Sequence, residues 1–135
     1  RIDFSTYFSE SIDIHHIFPV AWCVKNSIKG DDYNCIINKT PLSRRTNRIV
    51  SGDAPSKYLT RIQRSAEVND EEFQNILGSH VLSPKLLYAD DFLGFFNDRK
   101  EKMLQRIENA MNKPIPRGAT EVEEGIYIDE DAEEE

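Results

Sequence analysis

Asp13-Ile14-His15-His16-Ile17-Phe18-Pro19 is the stretch on which the reading of this chain turns. From Ser11 to Ile17 the β-branched Ile12, Ile14 and Ile17 punctuate polar residues, which suits a short strand, and Pro19 breaks it because proline cannot donate to a ladder. At the end of that strand two adjacent imidazoles stand beside a carboxylate. They combine metal-ligand types with a residue able to take a proton near neutral pH. The same pair also occurs as an ordinary polar patch, so the rest of the chain has to decide.

Working outward, Lys25 to Asp32 has the Asn, Ser, Gly and Asp of a loop, and Tyr33 to Ile37 suggests a second strand. After Pro41, Ser43 to Val50 reads as a short helix that Ser43 caps and Gly52 stops. Strand, loop, strand, helix is the resulting order. Ser56 before Lys57 to Arg64 and Asn69 before Asp70 to Leu77 predict two more helices, and Ser83-Pro84 opens another. Phe92, Phe95, Phe96, Arg99, Met103, Ile107 and Met111 recur at helical spacing. They predict a long amphipathic helix over Asp91 to Asn112 with its apolar face in the core. Domain 1–112 is then followed by a tail, 113–135, that opens with Lys113-Pro114-Ile115-Pro116-Arg117-Gly118 and becomes acidic.

The chain has 135 residues, 39% of them hydrophobic, enough for one modest core. It begins with Arg1, and no apolar stretch approaches the ~20 residues of a membrane span, so a cytoplasmic fragment of a longer protein is expected, with no membrane partner. Only Cys23 and Cys35 are present, without CxxC spacing, which argues against a disulfide framework or a four-cysteine zinc site. The net charge of -7 is unevenly placed. Residues 119–135 hold nine of the 24 acids and no base, leaving 17 bases against 15 acids in 1–118. Between Lys39 and Arg64, seven bases (Lys39, Arg44, Arg45, Arg48, Lys57, Arg61, Arg64) meet the single acid Asp53, a surface suited to phosphates. The acidic tail reads as a solvating extension, with a DNA mimic as the alternative.

A second string completes the pattern: Asn38-Lys39-Thr40-Pro41-Leu42-Ser43-Arg44-Arg45-Thr46-Asn47 carries two asparagines nine residues apart. With it, His15-His16-Ile17-Phe18-Pro19 resembles the Asp/His-His-Ile-x-Pro element of HNH (ββα-metal) nucleases, Asn38 and Asn47 matching the middle and final letters. Across roughly residues 11–112 the text is most similar to the C-terminal domain of GmrSD-type restriction endonucleases. Two departures stand out. Ser43 and Thr46 occupy positions where many HNH proteins carry cysteines, so no structural zinc is expected. The last letter is Asn47 rather than His, a weaker, neutral ligand.

The resemblance implies an α+β fold, a ββα-metal hairpin and helix packed on a mainly helical remainder. It also implies a metal-dependent DNA endonuclease acting in bacterial or archaeal defence, possessing an N-terminal sensing or nucleotide-hydrolysing domain. Carried over residue by residue, His16 is the general base, oriented by backbone near Asn38. His15 and Asn47, with Asp13 as a further ligand, hold a divalent ion, Mg²⁺ before Mn²⁺ or others. Lys39, Arg44, Arg45 and Arg48 contact DNA; Arg44 and Arg48 share a helix face with Asn47 at i, i+3, i+4 spacing. His15, His16, Asn38 and Asn47 are expected in one cleft, and because successive strand residues face oppositely, the strand has to bend at the histidines. Two other readings stay open: a catalytically silent ββα module that binds DNA or a protein, and a helical interaction domain with incidental histidines. His80, Trp22 and Tyr58 read as packing residues.

Overall fold

In the computed structural model, which describes residues 12–117, β1 (Ile12–His16) pairs antiparallel with β2 (Lys39–Ser43). The register sets Ile12 opposite Ser43, Ile14 opposite Pro41 and His16 opposite Lys39. Pro41 is accommodated because each strand of a two-stranded sheet has an open edge that needs no donor. The connection holds α1 (Val20–Lys25), α2 (Gly30–Tyr33) and a 3-10 turn (Ile36–Asn38). Then follow α3 (Arg44–Val50), α4 (Pro55–Ala66), α5 (Asp70–Ser79), α6 (Pro84–Tyr88) and α7 (Phe92–Met111). The fold is α+β.

The second strand is a correction: it begins at Lys39, six residues after the expected Tyr33 (39 − 33 = 6). Between them the backbone bonds locally, Asn34 N to Gly30 O and Asn38 N to Cys35 O, so those groups are unavailable to a ladder. Part of the expected Lys25–Asp32 loop is likewise helical, because α1 ends at Lys25 and α2 begins at Gly30.

The remaining helices follow their caps. Ser43 accepts from Thr46 N, Ser83 from Leu86 N and Asp91 from Gly94 N, while Asn69 and Glu72 form a reciprocal capping box. α4 starts two residues before the expected Lys57, with Pro55 at its first position, and Ser56 instead binds the Asp90 carboxylate through N and Oγ. A Cβ at Gly94 would run into Asp91's capping carboxylate and approach Leu86 to 3.1 Å, so this helix start requires glycine.

Phe18 joins the two halves. Its fully buried ring lies 5.0 Å from Trp22, 5.2 Å from Phe92 and 5.0 Å from Phe95, so the chain leaving β1 is plugged into the aromatic face of α7. Val50, Tyr58, Leu59, Phe73, Leu77 and Leu87 extend this core. The far end of α7 departs from expectation: Ile107 is 46% and Met111 54% exposed. Beyond it the chain turns back, Ile115 N and Arg117 binding Glu108, and Arg117 also binding Glu101. Among the described residues no helix is long and apolar enough to cross a membrane. The acidic run after residue 118, and Ser11 of the expected first strand, lie outside them.

Candidate functional site

Side chains alternate along a regular ladder, so the register sorts the hairpin into two faces. Asp13, His15, Thr40 and Leu42 share one face; Ile14, His16, Lys39 and Pro41 share the other. Thr40 is buried and Leu42 packs on the core, whereas Ile14 is 62% exposed, so the first face looks inward and the second outward. Pairing is unbroken through His16, and the chain bends only at Ile17–Phe18, where two consecutive residues are buried. The two histidines therefore leave β1 on opposite faces. The bend expected at them lies one residue further on.

His16 Nε2 is 2.9 Å from Asn34 Oδ1, and the Tyr33 ring meets the imidazole edge-on at 6.2 Å between centroids. Asn34 was hidden to sequence reading inside the expected second strand; in fact it caps the C-terminus of α2. Asn38 does something different from touching the histidine. Its side chain has 0% exposure and fills three bonds: Oδ1 accepts from Phe18 N at 2.9 Å, and Nδ2 donates to Phe18 O and Tyr33 O at 3.0 Å each. Its backbone carbonyl accepts from Ile17 N at 2.8 Å. One buried carboxamide thus ties the segment after His16 to the segment before Asn34. Tyr58 adds a hydroxyl bond to Ile17 O at 2.5 Å, and burial, with the Asp90 charge, raises its pKa.

Arg99 is the second residue whose role was missed. It sits in the apolar stripe of α7, 6% exposed, and its guanidinium donates to Ile37 O at 2.6 Å, Lys39 O at 3.0 Å and His80 O at 3.0 Å. Its Nε is buried without a partner, and burial pushes its pKa down to about 10. The signal was a cation at a core position. It pins the entry of β2 to the end of α5, where the partly exposed His80 ring meets Thr40 Oγ1 at 3.4 Å. Burial and then the Arg99 charge lower the His80 pKa. Burial pushes the Cys23 thiol up to about 12, an inert group under Phe18.

On α3 the inward side carries Thr46, Asn47, Ile49 and Val50, while Arg44, Arg45 and Arg48 are exposed. Asn47 is half-buried, and α3 packs against both strands. Ser43 and Thr46 serve the helix start, hydroxyl to hydroxyl at 3.1 Å. Of the seven bases in the Lys39–Arg64 window, Arg61 is engaged with Asp53.

For a divalent cation, an imidazole, a carboxylate and a carboxamide are an acceptable donor set. Asp13 and His15 fit, two residues apart on one face; Asn47 comes from the helix leaving β2. Among the described residues no three His, Cys, Asp or Glu side chains form a group able to hold a metal, so the carboxamide is a necessary member of the set. A cavity of about 500 Å³ between β2, α4 and α5 is lined chiefly by Leu42, Leu59, Ile62, Phe73 and Leu77. Neither His16, Asn38 nor Asn47 lines it.

No family model and no solved structure matches the chain. Over 82 residues, 56% of this chain, it is 29% identical to Uncharacterized protein MJ0686 of Methanocaldococcus jannaschii. The matched stretch spans 14% of that relative's length.

Proposed function

We propose that this domain is a metal-dependent DNA endonuclease of the HNH type, hydrolysing phosphodiester bonds as part of a bacterial or archaeal restriction or defence protein in the cytoplasm. The observation that supports it is the order in space: a strand ending in His15-His16, an antiparallel partner entered through buried Asn38, and directly after it the helix bearing Asn47. His16 takes a proton from water as the water oxygen bonds to phosphorus; the P–O3′ bond breaks and the leaving oxygen takes a proton from solvent. Asp13, His15 and Asn47 would hold a divalent ion, Mg²⁺ by chemistry, which supplies charge stabilisation for the phosphoryl oxygens. Arg44, Arg45 and Arg48, exposed on one helix, and Lys39, cross-strand from His16, position the phosphates. Arg44 and Arg45 stand in a first helical turn, where peptide dipoles disfavour cations, so their gain lies in an external anion. The sensing or nucleotide-hydrolysing partner domain belongs to this same reading.

One observation favours a second reading, a catalytically silent ββα module that binds DNA or a protein. His15 and His16 lie on opposite faces of an unbroken ladder, so ligand and base do not share a face. Plasmid DNA incubated with the purified domain and Mg²⁺, Mn²⁺ or EDTA separates the two. Nuclease action requires cleavage with metal and none with EDTA, and His16→Ala should lower the rate by roughly two to four orders of magnitude. Retention of DNA by the domain without cleavage in either metal would establish the silent module instead.

A further inference from the structure

We propose that Asn34 is the positioning residue of His16, selecting which ring nitrogen carries hydrogen and therefore which one is open to receive a proton. The hydrogen-bond part stands on the fold; its catalytic consequence rests on the nuclease reading above. An amide oxygen only accepts, so the 2.9 Å contact between Asn34 Oδ1 and His16 Nε2 requires the hydrogen on Nε2. A neutral imidazole carries one N–H, and the lone pair is then on Nδ1. Tyr33, edge-on to the ring, opposes its rotation.

The separation of the pair is set from behind by Asn38. Through Phe18 N and O and Ile17 N it holds the two residues after His16, and through Tyr33 O it holds the residue before Asn34. Asn34 N is itself bonded to Gly30 O at 2.9 Å, closing α2. The middle asparagine therefore acts on the histidine at one remove. It fixes the backbone on both sides, and the Asn34 side chain makes the contact. A strand register slipped by one residue would turn His16 to the other face and break the pair.

Long-range nitrogen-15 NMR of the labelled domain, at a pH where His16 is neutral, tests this without any turnover; His16→Gln identifies the resonances. The expected spectrum has His16 protonated at Nε2 and bare at Nδ1. In Asn34→Ala, with folding checked by thermal melting, the two nitrogens should move toward averaged values. Asn34→Asp, which keeps an acceptor, should restore the Nε2–H form. His16 protonated at Nδ1 in the parent domain, or a tautomer unchanged in Asn34→Ala, would overturn the assignment. In the cleavage assay Asn34→Ala should lose about 10- to 100-fold in kcat with KM for DNA unchanged, and Asn34→Asp should recover part of it. A fixed Nε2–H tautomer in a domain that cuts no DNA would keep the Asn34 assignment and discard the nuclease; a normal rate in Asn34→Ala would do the reverse.

Discussion

Around Phe18 and Asn38 the interior is closed by hydrogen bonds. One carboxamide fills three buried backbone groups, and Arg99 reaches across from α7 to three carbonyls. Along α4 to α7 it is closed by contact, with Tyr58, Leu59, Phe73, Leu77, Leu87, Phe92 and Phe95 sharing one apolar cluster. The hairpin half is too small to bury much apolar surface of its own: its outward face leaves Ile14 exposed, and its 22-residue connection (Ile17 to Asn38) contains only short helices. Directional bonds do there what area does in the helical half. The cost of a substitution should therefore follow unpaired groups in one half and lost volume in the other.

The largest expected effect compares Asn38→Ala with Phe95→Ala. Phe95→Ala removes a buried ring and should cost about 3–5 kcal/mol. Asn38→Ala deletes far less volume but strands Phe18 N, Phe18 O and Tyr33 O, at about 1–3 kcal/mol each. Chemical denaturation should show similar losses for the two. A cost under about 1 kcal/mol for Asn38→Ala would mean that solvent replaces the carboxamide and that the contrast between the halves is not real.

Next in size is Arg99→Lys, which keeps charge and stem but replaces a planar fork by a point donor. One ammonium does not reach the carbonyls of Ile37, Lys39 and His80 together, so roughly 1–3 kcal/mol should be lost. Hydrogen exchange should localise the weakening to β2 and the end of α5. Uniform acceleration along α7 instead would make Arg99 an ordinary member of the apolar stripe.

The smallest effect is a pH dependence at the seam between the halves. The His80 pKa is lowered in the folded chain, by burial first and by Arg99 second. Below the unfolded value of about 6.5, the unfolded chain takes up a proton that the folded chain resists. Stability is therefore lost as pH falls through that value, and the loss levels off below the folded pKa. The exposed part of the ring keeps the change small. Melting temperatures at pH 8 and 5.5 should drop less in His80→Gln than in the parent. Equal drops would detach His80 from the acid sensitivity.

How much was legible divides along the same line. Capping residues and the apolar period located α3 and α5 to α7 closely, because those signals are local: a side-chain oxygen meets a backbone N–H three residues on, and Phe92, Phe95 and Phe96 fall on one side of any helix. The second strand was misplaced because Ile36 and Ile37 have strand propensity, while the actual β2 contains a proline. Which segment enters a two-stranded ladder depends on what Phe18 and Asn38 hold in place, and propensity does not carry that information.

The sequence by itself determined the inventory: an α+β chain, a His-His pair ending a strand, a basic helix after the second strand, and an acidic end. Only the tertiary structure decided that His15 and His16 face opposite ways, that Asn34 meets the imidazole, and that Arg99 is spent on carbonyls. The reason is range. Composition and periodicity report interactions within a few residues, whereas the bonds of Asn38 to Phe18 span 20 residues and that of Arg99 to Ile37 spans 62. Contacts at such separation are set by how the whole chain closes upon itself.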